Sequence, residues 1–157
     1  MLILGIDPGT AITGYGIIEK DKKILRCISY GSIETEPFLA PAERLNKLYN
    51  KLNKLLKEYQ PKIVATETLY FFKNAKTAIR VSEARGVILL TAAKKKILIK
   101  EYTPLQVKIN VCGYGRAEKK QVQKMVKKIL NLEELPEPDD AADALAIALC
   151  AAYEIKI

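Results

Sequence analysis

Residues 2–9 read Leu-Ile-Leu-Gly-Ile-Asp-Pro-Gly, an apolar run that ends in an acid and is followed by two turn-forming residues. An uninterrupted apolar run of this length predicts a strand, Leu2–Asp7, that is buried on both faces of a sheet. The Pro-Gly pair predicts a turn directly after it. Strand patterns over 13–19 and 23–35 follow after short links, so we expect these three strands to pair as an antiparallel meander.

Helices and strands alternate after the meander. Apolar residues at helical spacing predict an amphipathic helix over 41–59, with Pro41 suited to its first turn. The next patterns predict a strand, a helix, a strand and a helix, over residues 62–68, 74–95, 97–102 and 117–130. Gly86 interrupts the first of these helices, and we expect it to allow close packing. A last helix beginning near Asp140 is alanine-rich and apolar on nearly every side, which predicts burial.

This order of elements predicts an α/β fold with a mixed five-stranded sheet flanked by helices, which matches the ribonuclease H-like architecture. The chain has 157 residues and is 49% hydrophobic, enough for one domain over 1–157 with its own core. No stretch approaches the roughly 18 consecutive apolar residues of a membrane span. The first residues lack the features of a signal peptide, so we expect a cytoplasmic protein without a membrane partner.

The chain contains no histidine. This excludes a histidine-based catalytic triad, a histidine general base and a histidine-ligated zinc site. The three cysteines are widely spaced and form no Cys-x-x-Cys motif, so neither a zinc site nor a disulfide framework is indicated. An enzyme with this composition must work with carboxylates, lysines, hydroxyls or metals.

Positive charge is concentrated in one segment of the chain. The formal net charge is +8. Between Lys94 and Lys128 there are eleven Lys or Arg residues and two acids, a net charge of +9, so the remainder is nearly neutral. A basic segment beside an acidic site favours a polyanion partner, most simply nucleic acid. A lysine-rich solvated surface explains the same charge, and charge alone does not decide between the two interpretations.

Four acids stand where predicted elements begin or end: Asp7, Glu67, Asp140 and Asp143. Asp7 and Glu67 close apolar strand patterns, whereas the two later aspartates are three residues apart and share one face of a helix start. An α/β fold gathers such element ends at one edge of its sheet. Four carboxylates there would repel each other unless a cation lay between them, and Mg²⁺ or Mn²⁺ takes oxygen ligands of this kind.

Each acid also has a purely structural interpretation. Asp7 suits a turn before Pro-Gly, Glu67 suits a solvated strand end, and the paired aspartates suit a helix N-terminus. Asp139 is the better candidate for a helix cap or a bystander. The specific signal is the set of four acids, without histidine and beside a basic segment.

Four motifs follow one another along the chain: Gly5-Ile6-Asp7-Pro8-Gly9-Thr10, Glu67-Thr68-Leu69-Tyr70-Phe71, Gln106-Val107-Lys108 with Gly113-Tyr114-Gly115 and Ala117-Glu118-Lys119, and Asp140-Ala141-Ala142-Asp143-Ala144-Leu145. They resemble, over nearly the whole chain, the motifs of the RuvC family of crossover junction endodeoxyribonucleases, which resolve Holliday junctions. Two departures stand out. Tyr70 replaces the usual Phe, which leaves a stacking role intact, and Asp139 adds a second acid beside Asp140, which we choose as the ligand by the family pattern.

The resemblance implies a mechanism and partners. The four acids Asp7, Glu67, Asp140 and Asp143 would hold two Mg²⁺ ions, with Mn²⁺ as a substitute, for phosphodiester hydrolysis without a covalent intermediate. Lys108 and Lys119 would grip phosphates near the cut, and Tyr70 would stack on a base at the junction. A four-way DNA junction cut by paired nicks implies a C₂ homodimer, for which the helix around Ala84-Arg85-Gly86 is our candidate element. A branch-migration helicase complex is a further partner that the resemblance leaves open.

Other functions fit parts of the pattern. A nucleotide-binding kinase or chaperone ATPase uses Asp-x-Gly-Thr at its first hairpin to contact phosphates and metal, but it needs a second, similar lobe that 157 residues cannot hold. A non-catalytic DNA-binding module on the same fold predicts a broken acidic set, whereas this set is intact. A general ribonuclease H-like nuclease uses the same acids and differs only in its substrate.

Overall fold

The structure, a computed structural model, describes residues 1–9, 11–68 and 75–155. The elements in this part of the chain are β1 (Leu2–Asp7), β2 (Ile12–Asp21), β3 (Ile24–Glu34), α1 (Pro41–Tyr59), β4 (Ile63–Glu67), α2 (Ala75–Lys94), β5 (Leu98–Tyr102), α3 (Pro104–Cys112), α4 (Lys119–Ile129) and α5 (Asp139–Glu154). Each predicted strand and helix is present, with ends that differ from the prediction by a few residues at most.

The strands form one five-stranded sheet in the order β3-β2-β1-β4-β5. β1, β2 and β3 pair antiparallel, whereas β4 runs parallel to both β1 and β5. The predicted mixed sheet and its opening meander are therefore confirmed. β1 lies at the centre because its apolar run is buried on both faces: Ile3, Leu4 and Ile6 are all at most 1% exposed.

Helices cover the two faces of the sheet. Leu4, Ile6 and Val64 belong to the core on the face that α1 and α2 cover. Ile3 and Ala65 belong to the other core, together with residues of α3, α4 and α5. Side chains alternate between the faces along a strand, so the last residues of β1 and β4, like Ile3 and Ala65, fall on the α5 face.

α5 packs directly on β1 and β2 at positions where the strands carry no side chain. A Cβ atom added at Gly5 would lie 2.0 Å from the carbonyl oxygen of Ala144, and one added at Gly14 would lie 1.9 Å from that of Asp140. The alanines of α5 complete the close contact, and its residues from Ala141 to Ala152 are buried apart from Asp143. This confirms the predicted burial. In the described ranges, no helix has the length and apolar character needed to cross a membrane.

Two features differ from the sequence analysis. α3 was not predicted, although its start carries a clear signal: Thr103 and Gln106 form a capping box around Pro104 at the first helical position. The prediction that Gly86 allows close packing is wrong for contacts within this chain. α2 runs through this residue without interruption, and a Cβ atom there would meet nothing within 4 Å.

Candidate active site

Asp7 and Glu67 lie side by side at the carboxyl ends of β1 and β4. The parallel pairing of these strands aligns Ile6 with Thr66, so the next residue on each strand is one of the two acids. Neighbouring strands are about 4.8 Å apart, and both acids fall on the α5 face. Pairing two buried parallel strands therefore places two carboxylates next to each other at the sheet edge.

The other two acids lie at the start of α5, which packs on the sheet near this edge. α5 begins at Asp139, which puts Asp140 and Asp143 at its start. The backbone of Asp140 lies directly over Gly14, and Gly14 is the residue that pairs with Asp7 across β1 and β2. The glycine contact thus fixes the start of α5 next to Asp7, and the positive end of the helix dipole favours carboxylates at this position.

Burial and neighbouring charges raise the pKa of Asp7, Glu67 and Asp143. Burial, followed by the charges of Asp143, Glu67 and Asp140, raises the pKa of Asp7 to about 7. Burial and then Asp143 raise the pKa of Glu67 to about 7, although Lys108 opposes this shift. The pKa of Asp143 is also raised, because its burial outweighs the opposing effect of Lys119. Burial is the largest cause of each of these three shifts.

Both predicted phosphate-binding lysines lie beside these acids. The Nζ atom of Lys119, at the start of α4, is 3.1 Å from Oδ2 of Asp143 and 3.4 Å from Oδ2 of Asp139. Burial alone would lower the pKa of Lys119, but Asp143 and Asp139 more than offset it and raise the pKa. Lys108, on α3, is close enough to lower the pKa of Glu67. The predicted stacking residue Tyr70 lies outside the described residues.

Asp139 is not the cap of α5, because Pro138 occupies that position and Asp139 is the first helical residue. Its Oδ1 atom accepts a hydrogen bond of 2.9 Å from Nε2 of Gln123. Gln123 is only 8% exposed and lies on the inward side of α4, one turn after Lys119. The sequence analysis did not identify Gln123. The sequence feature that could have indicated it is a polar residue between the apolar positions Val122 and Val126, on the buried face of that helix.

In the part of the chain that the structure describes, no three His, Cys, Asp or Glu side chains form an arrangement that could already hold one metal ion. The carboxylate of Asp143 faces an ammonium group, Lys119, as well as the neighbouring acids. A metal ion bound by Asp143 would therefore share this carboxylate with Lys119 or displace the ammonium group.

A family model described as crossover junction endodeoxyribonuclease RuvC matches residues 3–151. The chain belongs to the RuvC family. A RuvC protein of Caldicellulosiruptor saccharolyticus is 56% identical over 151 residues, which cover 96% of this chain and 91% of that protein. One from Thermosipho melanesiensis is 53% identical and covers 99% of both chains. The resemblance inferred from the motifs is confirmed, and as a RuvC-family protein the chain is a nuclease.

Solved structures agree with this assignment. The structure of T. thermophilus RuvC in complex with a Holliday junction substrate superposes with a TM-score of 0.91 at 35% identity, covering 98% of this chain and 94% of that one. The yeast mitochondrial Holliday junction resolvase Ydc2 has a TM-score of 0.69 at 14% identity, covering 96% of this chain and 77% of that one, and shows the shared fold alone. The predicted ribonuclease H-like architecture is confirmed by the RuvC match.

Proposed function

We propose that this chain is a structure-selective endonuclease that resolves four-way DNA junctions by paired, metal-assisted nicks. One observation carries the proposal: four carboxylates converge at the sheet edge, with Lys108 and Lys119 beside them, in a RuvC-family chain. The relative from T. thermophilus, 35% identical, was solved with a Holliday junction substrate. The +9 charge between Lys94 and Lys128 suits a phosphate backbone as the partner.

The donor set fits divalent metal ions. Asp7, Glu67, Asp140 and Asp143 are all oxygen donors, and Mg²⁺ and Mn²⁺ prefer such ligands. Burial and then neighbouring carboxylates raise the pKa of both Asp7 and Glu67 to about 7, and a bound cation would favour their ionised forms. Two ions held by these acids would supply activation of a water molecule for attack on the phosphorus and stabilisation of the leaving 3′ oxygen.

The chain's own residues supply alignment and charge. The paired strand ends and the α5 contact hold the four acids on rigid elements, which is the positioning that hydrolysis needs. Lys108 and Lys119 approach from α3 and α4, so their ammonium groups can contact the phosphate being cut and its neighbour. No side chain has to form a covalent bond, because water is the nucleophile in this scheme.

A homodimer supplies the second nick that resolution requires. Of the three residues proposed as the dimer element, Ala84 is buried in the chain's own core and Arg85 pairs with Glu101, whereas Gly86 is exposed. Ile79 and Leu90, each 61% exposed, share the outer face of α2 with Gly86 because the three residues are spaced seven and four apart. We infer that this apolar stripe contacts the same stripe of a second copy across a C₂ axis.

Cleavage of branched and unbranched substrates tests the function. With Mg²⁺ and excess enzyme, a four-way junction should be nicked at symmetric positions, while linear duplex and RNA–DNA hybrid of the same sequence should stay intact. Asp7→Asn is the control, because it should abolish the nicks but keep junction binding. Equal cutting of the hybrid would favour a general ribonuclease H-like nuclease. Junction binding without any cutting would favour the non-catalytic module.

Assembly is tested on a separate variant. Leu90→Glu places a charge in the proposed α2 stripe, far along the helix from its first turn. We expect it to convert a dimer into a monomer in sedimentation experiments and to replace paired nicks with single ones. Tyr153→Glu changes a similarly exposed residue on α5 and should leave the dimer intact. A dimer that survives Leu90→Glu would move the interface to another surface.

A further inference from the structure

Lys119 lies between two carboxylates of different kinds. Asp143, 3.1 Å away, is one of the four proposed metal ligands, whereas Asp139, 3.4 Å away, lies outside that set. Asp139 is itself held in place by the 2.9 Å hydrogen bond from the amide nitrogen of Gln123. Lys119 and Gln123 are four residues apart on α4, so one helix face contacts Asp139 through both side chains.

This contact is unsuited to a stabilising role. The side chains of Lys119 and Asp139 are 52% and 66% exposed, and exposed ion pairs contribute little to folding stability. Gln123, by contrast, is buried, and a buried amide needs a partner to offset its lost hydration. The buried side chain of Gln123 is therefore fixed, and its hydrogen bond orients the carboxylate of Asp139 toward Lys119.

Binding of a metal ion by Asp143 would conflict with the ion pair that this residue forms in the structure. A divalent ion bound by Asp143 would repel the ammonium group of Lys119, 3.1 Å from that carboxylate, and the two cations would compete for it. Lys119 then needs a second acceptor that keeps it at the edge of the site. Asp139 is such an acceptor, since it already contacts the same ammonium group and is restrained by Gln123.

We propose that Asp139 is a positioning residue that holds Lys119 away from Asp143, so that Asp143 is free to bind a divalent ion while Lys119 stays beside the scissile phosphate. This inference rests on the proposed function, which makes Asp143 a ligand and Lys119 a phosphate contact. Asp139 itself contacts neither metal nor DNA in this scheme. Without its charge, Lys119 pairs with Asp143 alone and competes more strongly with the metal.

Metal binding by the free protein tests the proposal without relying on cleavage. Unbound Mn²⁺ is measured by electron paramagnetic resonance during titration of the wild type, Asp139→Asn, Lys119→Gln and the double variant. We expect Asp139→Asn to weaken Mn²⁺ binding about threefold, the scale of one partly exposed ion pair. Lys119→Gln should strengthen binding, and adding Asp139→Asn to it should change nothing further. Such a cycle isolates the coupling between the two residues.

Two controls separate positioning from simple loss of charge. Glu137→Gln removes the same charge two residues away, at an exposed position, and should leave Mn²⁺ affinity unchanged. Asp139→Glu restores the charge and should recover most of the affinity. The proposal would be overturned if Glu137→Gln lost as much Mn²⁺ affinity as Asp139→Asn does. It would also be overturned if adding Asp139→Asn to Lys119→Gln caused that same loss, because either result would show a general effect of charge.

Junction cleavage then distinguishes this inference from the proposed function. In single-turnover assays, Asp139→Asn should be slow at limiting Mg²⁺ and approach the wild-type rate at saturating Mg²⁺. A wild-type protein that cuts no junction refutes the function but leaves the Mn²⁺ results as a test of the network. A wild type that cuts normally, with an Asp139→Asn variant identical to it at every Mg²⁺ concentration, refutes the positioning role alone.

Discussion

Substitution of Gly14 by alanine should displace the start of α5 and separate the proposed catalytic acids. The added Cβ atom would lie 1.9 Å from the carbonyl oxygen of Asp140, whereas real Cβ contacts essentially never fall below 3.0 Å. The difference between these two distances means that the backbone at Asp140 must retreat by about 1.1 Å. The atom in conflict is backbone rather than a flexible side chain, so no rotamer change relieves it.

The displacement predicts two measurable losses. A shift of about 1 Å at a catalytic geometry costs roughly 10²-fold in rate, so single-turnover cleavage of a four-way junction should fall by about that factor. Overpacking typically costs about 1–3 kcal/mol, which thermal unfolding should detect. Junction affinity measured with Ca²⁺ should persist, since Lys108 and Lys119 remain on α3 and α4.

Gly31→Ala is the matched control for this experiment. It is also a strand glycine, but the three atoms nearest to its added Cβ would all belong to the side chain of Tyr15, at 3.0–3.2 Å, and a side chain can yield by a few tenths of an ångström. We expect its cleavage rate to stay close to the wild-type rate. A folded Gly14→Ala protein that cuts as fast as Gly31→Ala would refute the argument that α5 positions Asp140 and Asp143 through this contact.

Three further predictions concern metals, acids and DNA binding. Excess EDTA should abolish cleavage, and Ca²⁺ should support junction binding without cutting because its looser coordination aligns the reaction poorly; full activity in EDTA would contradict the metal scheme. Asp140→Asn should lower the single-turnover rate at saturating Mg²⁺ by at least ~10²-fold, whereas Asp139→Asn should not, and the reverse result would exchange their roles. Lys108→Ala should make the log-log salt dependence of junction affinity shallower by about 1, and an unchanged slope would place the DNA on another face.

The sequence was most informative where local pattern and burial agree. The apolar run Leu2–Asp7 predicts a strand buried on both faces, and β1 lies at the centre of the sheet for that reason. The helix over 41–59 matches α1 to the residue, because its apolar stripe and flanking prolines mark both ends. α3 was missed because only two of its nine residues, Val107 and Val111, are buried, which leaves too weak an apolar period to detect.

By itself, the sequence determined the family motifs, the mixed α/β fold and the four acids at element ends, because strand and helix periodicity are local properties of the chain. Only the tertiary structure decided which residues meet. The pairing of β1 with β4 aligns Asp7 with Glu67, and the missing side chain at Gly14 brings Asp140 over the strand that pairs with Asp7. The position of Lys119 between Asp143 and Asp139 depends on α4 packing against α5, a contact between segments whose distance and orientation no local pattern specifies.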